Sequence, residues 1–296
     1  MDKVKFPFIL GESQERAVRM AFIDFKIFFT GSLSRKDIID EFKVSEITAT
    51  RIISDYKDTM PENMTYDNKS KLFILNKDSF SHFFNFRAED ALDMLSSGFD
   101  KNKIIKDCGF LISENVGVNS SPISVDVVSK VTRAMYQKKK IICEYNSATS
   151  DDYDKRILIP LSLLFDGINW MFRAYHENTG GVIKYKNFNF SRIISVKETE
   201  DGYDRVFGLD FDDLWNKVVP VELEINNDLS PEIKNKIKRD YGIITADNKI
   251  LMSVRAAFVW IILNQLGFNY KGNGDLEEGY VFKLKNHDML KQIGAI

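Results

Sequence analysis

Ser45, Glu46, Thr48, Ala49, Thr50 and Arg51 open one helical run, and together they carry hydroxyls, methyl surface and a guanidinium. Such groups can read nucleic acid: hydroxyls donate to phosphate or base edges, a Thr methyl meets thymine, and arginine pairs with guanine. Further on, Asn68, Lys69 and Lys71 lie in and beside the polar stretch Asp67-Asn68-Lys69-Ser70, where they would meet a sugar-phosphate backbone. Ser34 and Arg35, at the head of the preceding helical run, complete the candidate DNA-contacting set. Bond-making chemistry finds less support. His82, His176 and His287 are far apart and fit no metal spacing. There is no nucleophile elbow, P-loop or C-x-x-C. The acidic group Asp210, Asp212 and Asp213 reads as a solvated turn, and Gly272-Asn273-Gly274 as a hairpin loop. A non-enzymatic protein without metal or cofactor is the expectation.

The elements that must position the candidate residues follow from periodicity. Val18, Phe22, Phe25 and Phe29 recur at helical steps between Ser13 and Thr30, and Gly31 ends the run. Ser34-Arg35-Lys36-Asp37 has capping-box spacing before a short helix with Ile38, Ile39 and Phe42 inward. Ser45 caps the next helix, whose apolar stripe is read as Ile47, Ile52, Ile53 and Tyr56. Met64-Thr65-Tyr66 and Lys71 to Leu75 then flank a turn as two strands. Helix, short helix, turn, helix and two-stranded wing is the winged helix-turn-helix order, in which the second helix of the pair enters the major groove. Residues 1–75 hold twelve basic and twelve acidic side chains, so the DNA footprint must be one face. A protein-docking helical domain is the competing reading; the polar helix start and basic wing favour DNA.

Downstream, residues 79–112 are expected to be helical, with Ala91, Leu92 and Leu95 inward, and residues 114–124 read as a linker. A helix with Val127, Val128, Val131 and Met135 inward follows, ending in Lys138-Lys139-Lys140, cations suited to a helix C-terminus. Strand-like runs at residues 141–145, 156–160, 169–175 and 188–190 predict a small β-rich barrel or sandwich. Beyond it, a strand at 219–225, a helix from Ser230-Pro231, a strand at 250–254, a helix at 255–266 and a strand at 280–284 make an α+β module.

The 296 residues, 44% hydrophobic and 28% charged, suit a globular chain of two or three domains and exclude disorder. Forty-one basic against 43 acidic residues give a net charge of -2, which excludes a uniformly basic coat. No leader-like start, an apolar run at 256–263 too short for a bilayer, and only Cys108 and Cys143 point to the cytoplasm with reduced thiols and no membrane.

The run Trp170-Met171-Phe172-Arg173-Ala174-Tyr175-His176 follows Ile159-Pro160-Leu161 and Asp166-Gly167, and precedes Phe188-Asn189-Phe190-Ser191-Arg192-Ile193. This pattern resembles the WYL-domain regulator family, whose Trp-Tyr-Leu run corresponds to Trp170, Met171 and Phe172. The stretch from Val44-Ser45 to Tyr56, with Tyr66-Asp67, resembles repressors associated with phage-defence islands, including BREX-associated regulators. The resemblance implies an α+β chain in four parts. These are a winged helix-turn-helix domain at 1–78, a helical linker or dimerisation segment at 79–123, an Sm-like β-barrel (the WYL domain) at 124–208, and a small ferredoxin-like dimerisation module at 209–296. It also implies a sensor for a nucleotide or nucleic-acid ligand. Tyr145 and Tyr175 suit base stacking, Arg173, Lys186 and Arg192 suit phosphate, and Ser147, His176 and Asn189 suit hydrogen bonding. Strand alternation separates Trp170, Phe172 and Ala174 from Met171, Arg173 and Tyr175, so Trp170 and Phe172 are assigned to the core. The expected function is a homodimeric repressor of a phage-defence operon, bound to an inverted-repeat duplex operator and modulated by a nucleotide or oligonucleotide. The alternative is an accessory protein holding RNA or single-stranded DNA in the WYL barrel.

Overall fold

The computed structural model describes residues 5–105, 122–147, 155–177, 184–243, 248–270, 276–277 and 279–296. The chain forms two compact units, Met1–Tyr203 and Asp204–Ile296.

In the first unit α1 (Lys5–Glu12) precedes α2 (Gln14–Thr30), whose N-cap Ser13 accepts from the Arg16 N–H. Gly31 ends α2 with φ of 83°, a left-handed conformation that favours glycine, and a Cβ there would push aside the Gln137 amide. The capping box on α3 (Arg35–Phe42) forms as expected, after the short β1 (Ser32–Leu33). Lys43, left-handed at φ 53°, turns the chain into α4 (Glu46–Thr59). β2 (Met64–Asp67) and β3 (Leu72–Leu75) form the wing, and β1 extends it to a sheet ordered β1-β3-β2.

The stripe on α4 differs from expectation at one place. Ile47 is 69% exposed, and Ala49, Ile52, Ile53 and Tyr56 are the buried set. Five residues before Ile52 is about 140° around the helix at roughly 100° per residue, whereas Ala49 keeps the three- and four-residue steps.

The expected helix over 79–112 is also corrected. Residues 79–87 carry no helix; α5 (Ala88–Ser97) and α6 (Lys101–Ile105) follow them. The reason is aromatic packing. Phe80 stacks on Phe28, Phe83 and Phe84 meet Phe6 edge-on, and Phe86 touches Phe25 and Phe29, so the segment packs on both α1 and α2 with side chains spent in several directions. Most of the expected linker, together with Cys108 and Gly272-Asn273-Gly274, lies outside the described residues.

α7 (Val125–Gln137) packs on α2 and on a five-stranded antiparallel sheet of β4 (Lys139–Tyr145), β5 (Lys155–Phe165), β6 (Trp170–His176), β7 (Tyr185–Asn189) and β8 (Ile193–Gly202). The order is β7-β6-β5-β4-β8, and the edges β7 and β8 are not paired with each other among the described residues. Of the lysine run only Lys138 caps α7; Lys139 and Lys140 already belong to β4. Pro160 has no N–H for the ladder, and the β5–β6 register slips between Pro160 and Ser162.

In the second unit α8 (Asp213–Asn216) leads into β9 (Val218–Ile225), α9 (Pro231–Asp240) and β10 (Lys249–Arg255). After a 3-10 turn come α10 (Val259–Gln265), the pair β11 (Asn269–Tyr270) and β12 (Leu276–Glu277), β13 (Phe282–Leu284) and α11 (His287–Gln292). β9 is central, with β10 and β13 antiparallel on either side. Alternate residues Val219, Val221, Leu223 and Ile225 enter a core with Val254, Leu263, Phe268 and Phe282. Asp212 is buried and N-caps α8, accepting from the Trp215 N–H, so the acidic group there is part of a helix start. Among the described residues no cluster of His, Cys, Asp and Glu could hold a metal, and no helix is long and apolar enough to cross a membrane.

Candidate nucleic-acid interface and ligand face

α4 is presented outward by its first turns. Ser45 caps it, accepting from the Thr48 N–H, and the two hydroxyls lie 3.0 Å apart, so one donates to the other and a single O–H is left for an outside acceptor. Thr50 donates to the Glu46 carbonyl at 3.0 Å, which leaves its methyl and lone pairs outward. Glu46 pairs with Arg35 of α3 at 3.3 Å, so one predicted contact neutralises another. Ser34 is spent on the α3 capping box. Arg51 is exposed and has no ion-pair partner among the described residues. Ile47 and Ser54 share this exposed face, and Ile47 adds an apolar surface that suits a thymine methyl. Its departure from the three- and four-residue steps was the sequence signal for that exposure.

The opposite face of α4 is held by buried hydrogen bonds. Tyr56 donates to Asp24 of α2 at 2.7 Å, while the Asn63 amide donates to the Tyr56 oxygen at 2.8 Å. Asn63 also exchanges bonds with Ser81, donating at 2.7 Å and accepting at 2.9 Å. The second Asp24 oxygen accepts from the N–H groups of Phe83 and Phe84. Burial pushes the Asp24 carboxyl up to about 7, against those hydrogen bonds. Burial and the neighbouring Asp24 also raise the Tyr56 hydroxyl, so Tyr56 stays a donor. One network thus ties α2, α4, the approach to the wing and the segment after it.

The wing turn is built by Asp67, which accepts from the Lys69 N–H, the Ser70 N–H and the Ser70 hydroxyl. Those bonds, led by Ser70, hold its carboxyl below the usual range. Lys71 closes the turn in a left-handed conformation, φ 62°. Asn68, Lys69 and Lys71 are all exposed at the tip.

The expected ligand residues divide between places. Tyr145, Asn189 and Arg192 meet at the 3-10 turn Phe190–Arg192: the Tyr145 hydroxyl accepts from the Asn189 N–H at 3.1 Å, and the Asn189 side chain accepts from Ser191. The Asn146 N–H donates to the Arg192 carbonyl at 2.9 Å, which brings Ser147 beside them. Arg192 is exposed. The Tyr145 ring is edge-on to Phe188 and covered by the Arg156 guanidinium, a partner that sequence reading missed. Register places His176, Ala174 and Lys186 on the face of Phe172 and Phe188, and Arg173, Tyr175 and Asn189 on the other. All of β6 is buried; Arg173 donates to the Asn187 Oδ1 at 3.0 Å, and Tyr175 meets Tyr185 edge-on. Trp170 and Phe172 are in the core as expected. Cys143 is also buried, its thiol pushed up to about 12 by burial, so it is unreactive.

α7 connects the two functional regions of the unit. Arg133, Thr132 and Gln137 donate to the carbonyls of Phe28, Phe29 and Thr30, the last turn of α2. The other side of the Arg133 guanidinium grips Glu198 of β8 with two bonds, at 3.0 and 2.9 Å, and Lys77 joins at 3.2 Å. Burial alone would raise the Glu198 carboxyl, but Arg133 and Lys77 hold it below the usual range.

Residues 15–97 match the model of the BrxR transcriptional regulator winged helix-turn-helix domain, and residues 126–198 match the WYL domain. The chain is 28% identical over 288 residues to the DNA-binding transcriptional repressor CapW of Escherichia coli strain KTE188, covering 94% of this chain and 92% of the relative. It is 26% identical to CapW of Pseudomonas aeruginosa, with coverage of 95% and 91%. To CapW of Stenotrophomonas maltophilia it is 24% identical, with coverage of 93% and 90%.

Proposed function

The chain belongs to the WYL-domain regulator family, with a BrxR-type winged helix-turn-helix domain ahead of its WYL domain, and we propose that it is a sequence-specific, DNA-binding transcriptional repressor. The observation that carries this reading is the face of α4: Ile47, Thr50, Arg51 and Ser54 are exposed together, while Ile52, Ile53 and Tyr56 anchor the helix. Ser45, Glu46, Thr48 and Arg35 frame that face, and Asn68, Lys69 and Lys71 reach the backbone from the wing.

One such helix reads only a few base pairs, so the working form is a homodimer on an inverted repeat. The proposed target is a phage-defence operon of the BREX kind, in the cytoplasm; the BrxR-type domain and the names of the CapW relatives support transcriptional repression itself. The WYL domain senses a nucleotide or oligonucleotide, with Arg192, Ser147 and Asn189 at the 3-10 turn, Arg173 and Tyr175 on one sheet face, and Tyr145, His176 and Lys186 on the other. The ligand derepresses only if it binds the DNA-incompetent arrangement more tightly. Arg133 offers the route, since it touches both α2 and β8.

Fluorescence anisotropy tests the reading, on duplex DNA from upstream of the protein's own operon beside a scrambled duplex and the matching single strand. Selective duplex binding is the expected result. Preference for the single strand would overturn it in favour of an accessory protein binding through the WYL domain.

A further inference from the structure

Arg16, Arg19 and Arg51 line one cleft of about 370 Å³ between α2 and α4, with Thr48 and Asp55 on its walls and Met20 and Ile52 beneath. The charges are not balanced inside it. Arg16 spends its guanidinium on Asp55, with bonds of 2.8 and 2.6 Å, and Asp55 is the one carboxylate in the lining. Arg19 is held differently. One of its terminal nitrogens reaches Glu15 on the outer flank of α2, where the carboxylate is largely in water, and its guanidinium carbon lies 5.9 Å from the centre of the Phe42 ring. Its Nε is buried and has no hydrogen-bond partner among the described residues. Arg51 stands at the mouth, exposed.

The cleft lies on a particular side of α4. Thr48, Ile52 and Asp55 follow the steps i, i+4 and i+7, the side turned to α2, whereas Ile47, Thr50 and Ser54 point away and Arg51 stands on the boundary between the two sides. A helix seated in a major groove is flanked by the sugar-phosphate strands, so the side next to its reading face meets phosphate rather than bases. A planar guanidinium held by an aromatic ring, beside a hydroxyl, suits a phosphodiester oxygen.

We propose that this cleft is a second DNA contact, in which Arg19, with Thr48, takes a backbone phosphate flanking the bases that α4 reads. The Arg16–Asp55 pair forms a rigid neutral wall, and Glu15 is the group that Arg19 gives up on binding. An exposed pair of this kind is worth little, so the exchange is cheap. The proposal rests on the regulator reading and adds a named residue and ligand group to it.

The test uses the full chain and the same operator and scrambled duplexes across a chloride series. Arg19→Gln is expected to weaken both duplexes by the same factor, about tenfold, and to reduce the salt slope by about 1. Arg19→Lys keeps the slope but not the full affinity. Glu15→Gln frees Arg19 and tightens both duplexes. A single uncharged methylphosphonate at the contacted position reproduces the loss in the wild type and adds nothing to Arg19→Gln. Inorganic phosphate at the ionic strength of the chloride control is expected to compete no better than chloride; strong competition would assign the cleft to free phosphate and overturn the DNA contact. If Arg19→Gln, with an unchanged melting temperature, keeps wild-type affinity and slope on an operator the wild type selects, the cleft is not a contact and the regulator reading stands. If the wild type selects no duplex, that reading fails first.

Discussion

Asp24 is the residue on which the winged helix turns, because it is a carboxyl with no exposure that accepts three hydrogen bonds. Its ordinary value of 3.8 rises to about 7 in the fold. Between those values the folded chain keeps a proton that the unfolded chain has released, so stability falls as pH rises through the window and levels above it. His82, with Nδ1 3.9 Å from the carboxylate, is shifted downward by burial, which favours its neutral form. Asp24→Asn is expected to flatten the decline in urea midpoint between pH 4 and 7. It should also cost about 1–3 kcal/mol, because its amide faces donors. An advantage of wild type over Asp24→Asn that does not shrink as pH rises through the same interval would contradict the assignment. At the reading face, Arg51→Ala is expected to weaken operator binding more than scrambled binding. Lys69→Ala and Lys71→Ala should weaken both alike and flatten the salt slope. The exposed placement of Arg51 and the wing lysines was legible in the sequence, because polar residues at a capped helix start and at a turn face water. Asp24 was not: an acidic residue amid Ile23 and Phe25 gives no sign of the Tyr56 and backbone donors that a later segment brings to it.

The element that most constrains the first unit is α7, which caps the last turn of α2 on one side and clasps β8 on the other. Arg133 is 4% exposed, so its charge has no water as an alternative partner, while Glu198, 14% exposed, opens only toward Lys77. Removing one member of a buried pair leaves the other uncompensated. Glu198→Gln is therefore expected to destabilise the chain by about 3–5 kcal/mol in urea unfolding, with Arg133→Met in the same chain recovering part of the loss. Full additivity of the two would mean they do not interact. The sign with pH is opposite to that of Asp24: Glu198, held low, stabilises at neutral pH and ceases to as pH falls through its depressed value. Periodicity revealed α2, α3, α4 and α7, since each has one apolar stripe, and the serine at the start gave the caps of α3 and α4. It failed for residues 79–87, where phenylalanines pack without a period, and for β8, where Val196 is buried while Ile194, Ser195 and Lys197 are exposed. An edge strand that pairs on one side needs little hydrophobic patterning.

Across the whole molecule, a net charge of -2 rules out a general positive field, so the proposed DNA attraction is local and the proposed dimer would gain affinity by engaging two half-sites. The two units have separate cores, one built around α2, α7 and the five-stranded sheet, the other around β9. A chain ending at Tyr203 thus keeps the complete winged helix and WYL sheet. If the second unit pairs the protomers, that shortened chain should unfold cooperatively, sediment as a monomer and bind one half-site. Its affinity for the inverted repeat should fall by about 10²–10⁴, the advantage of a linked second contact. Spacing separates this from simple damage. Inserting about 5 base pairs, half a helical turn, between half-sites sets the two reading helices on opposite sides of the duplex. The full chain should lose most of its affinity for the altered operator, whereas the shortened chain should bind both operators equally. Equal loss in both chains would place the pairing surface within residues 1–203, where α5 and α6 are the remaining candidates.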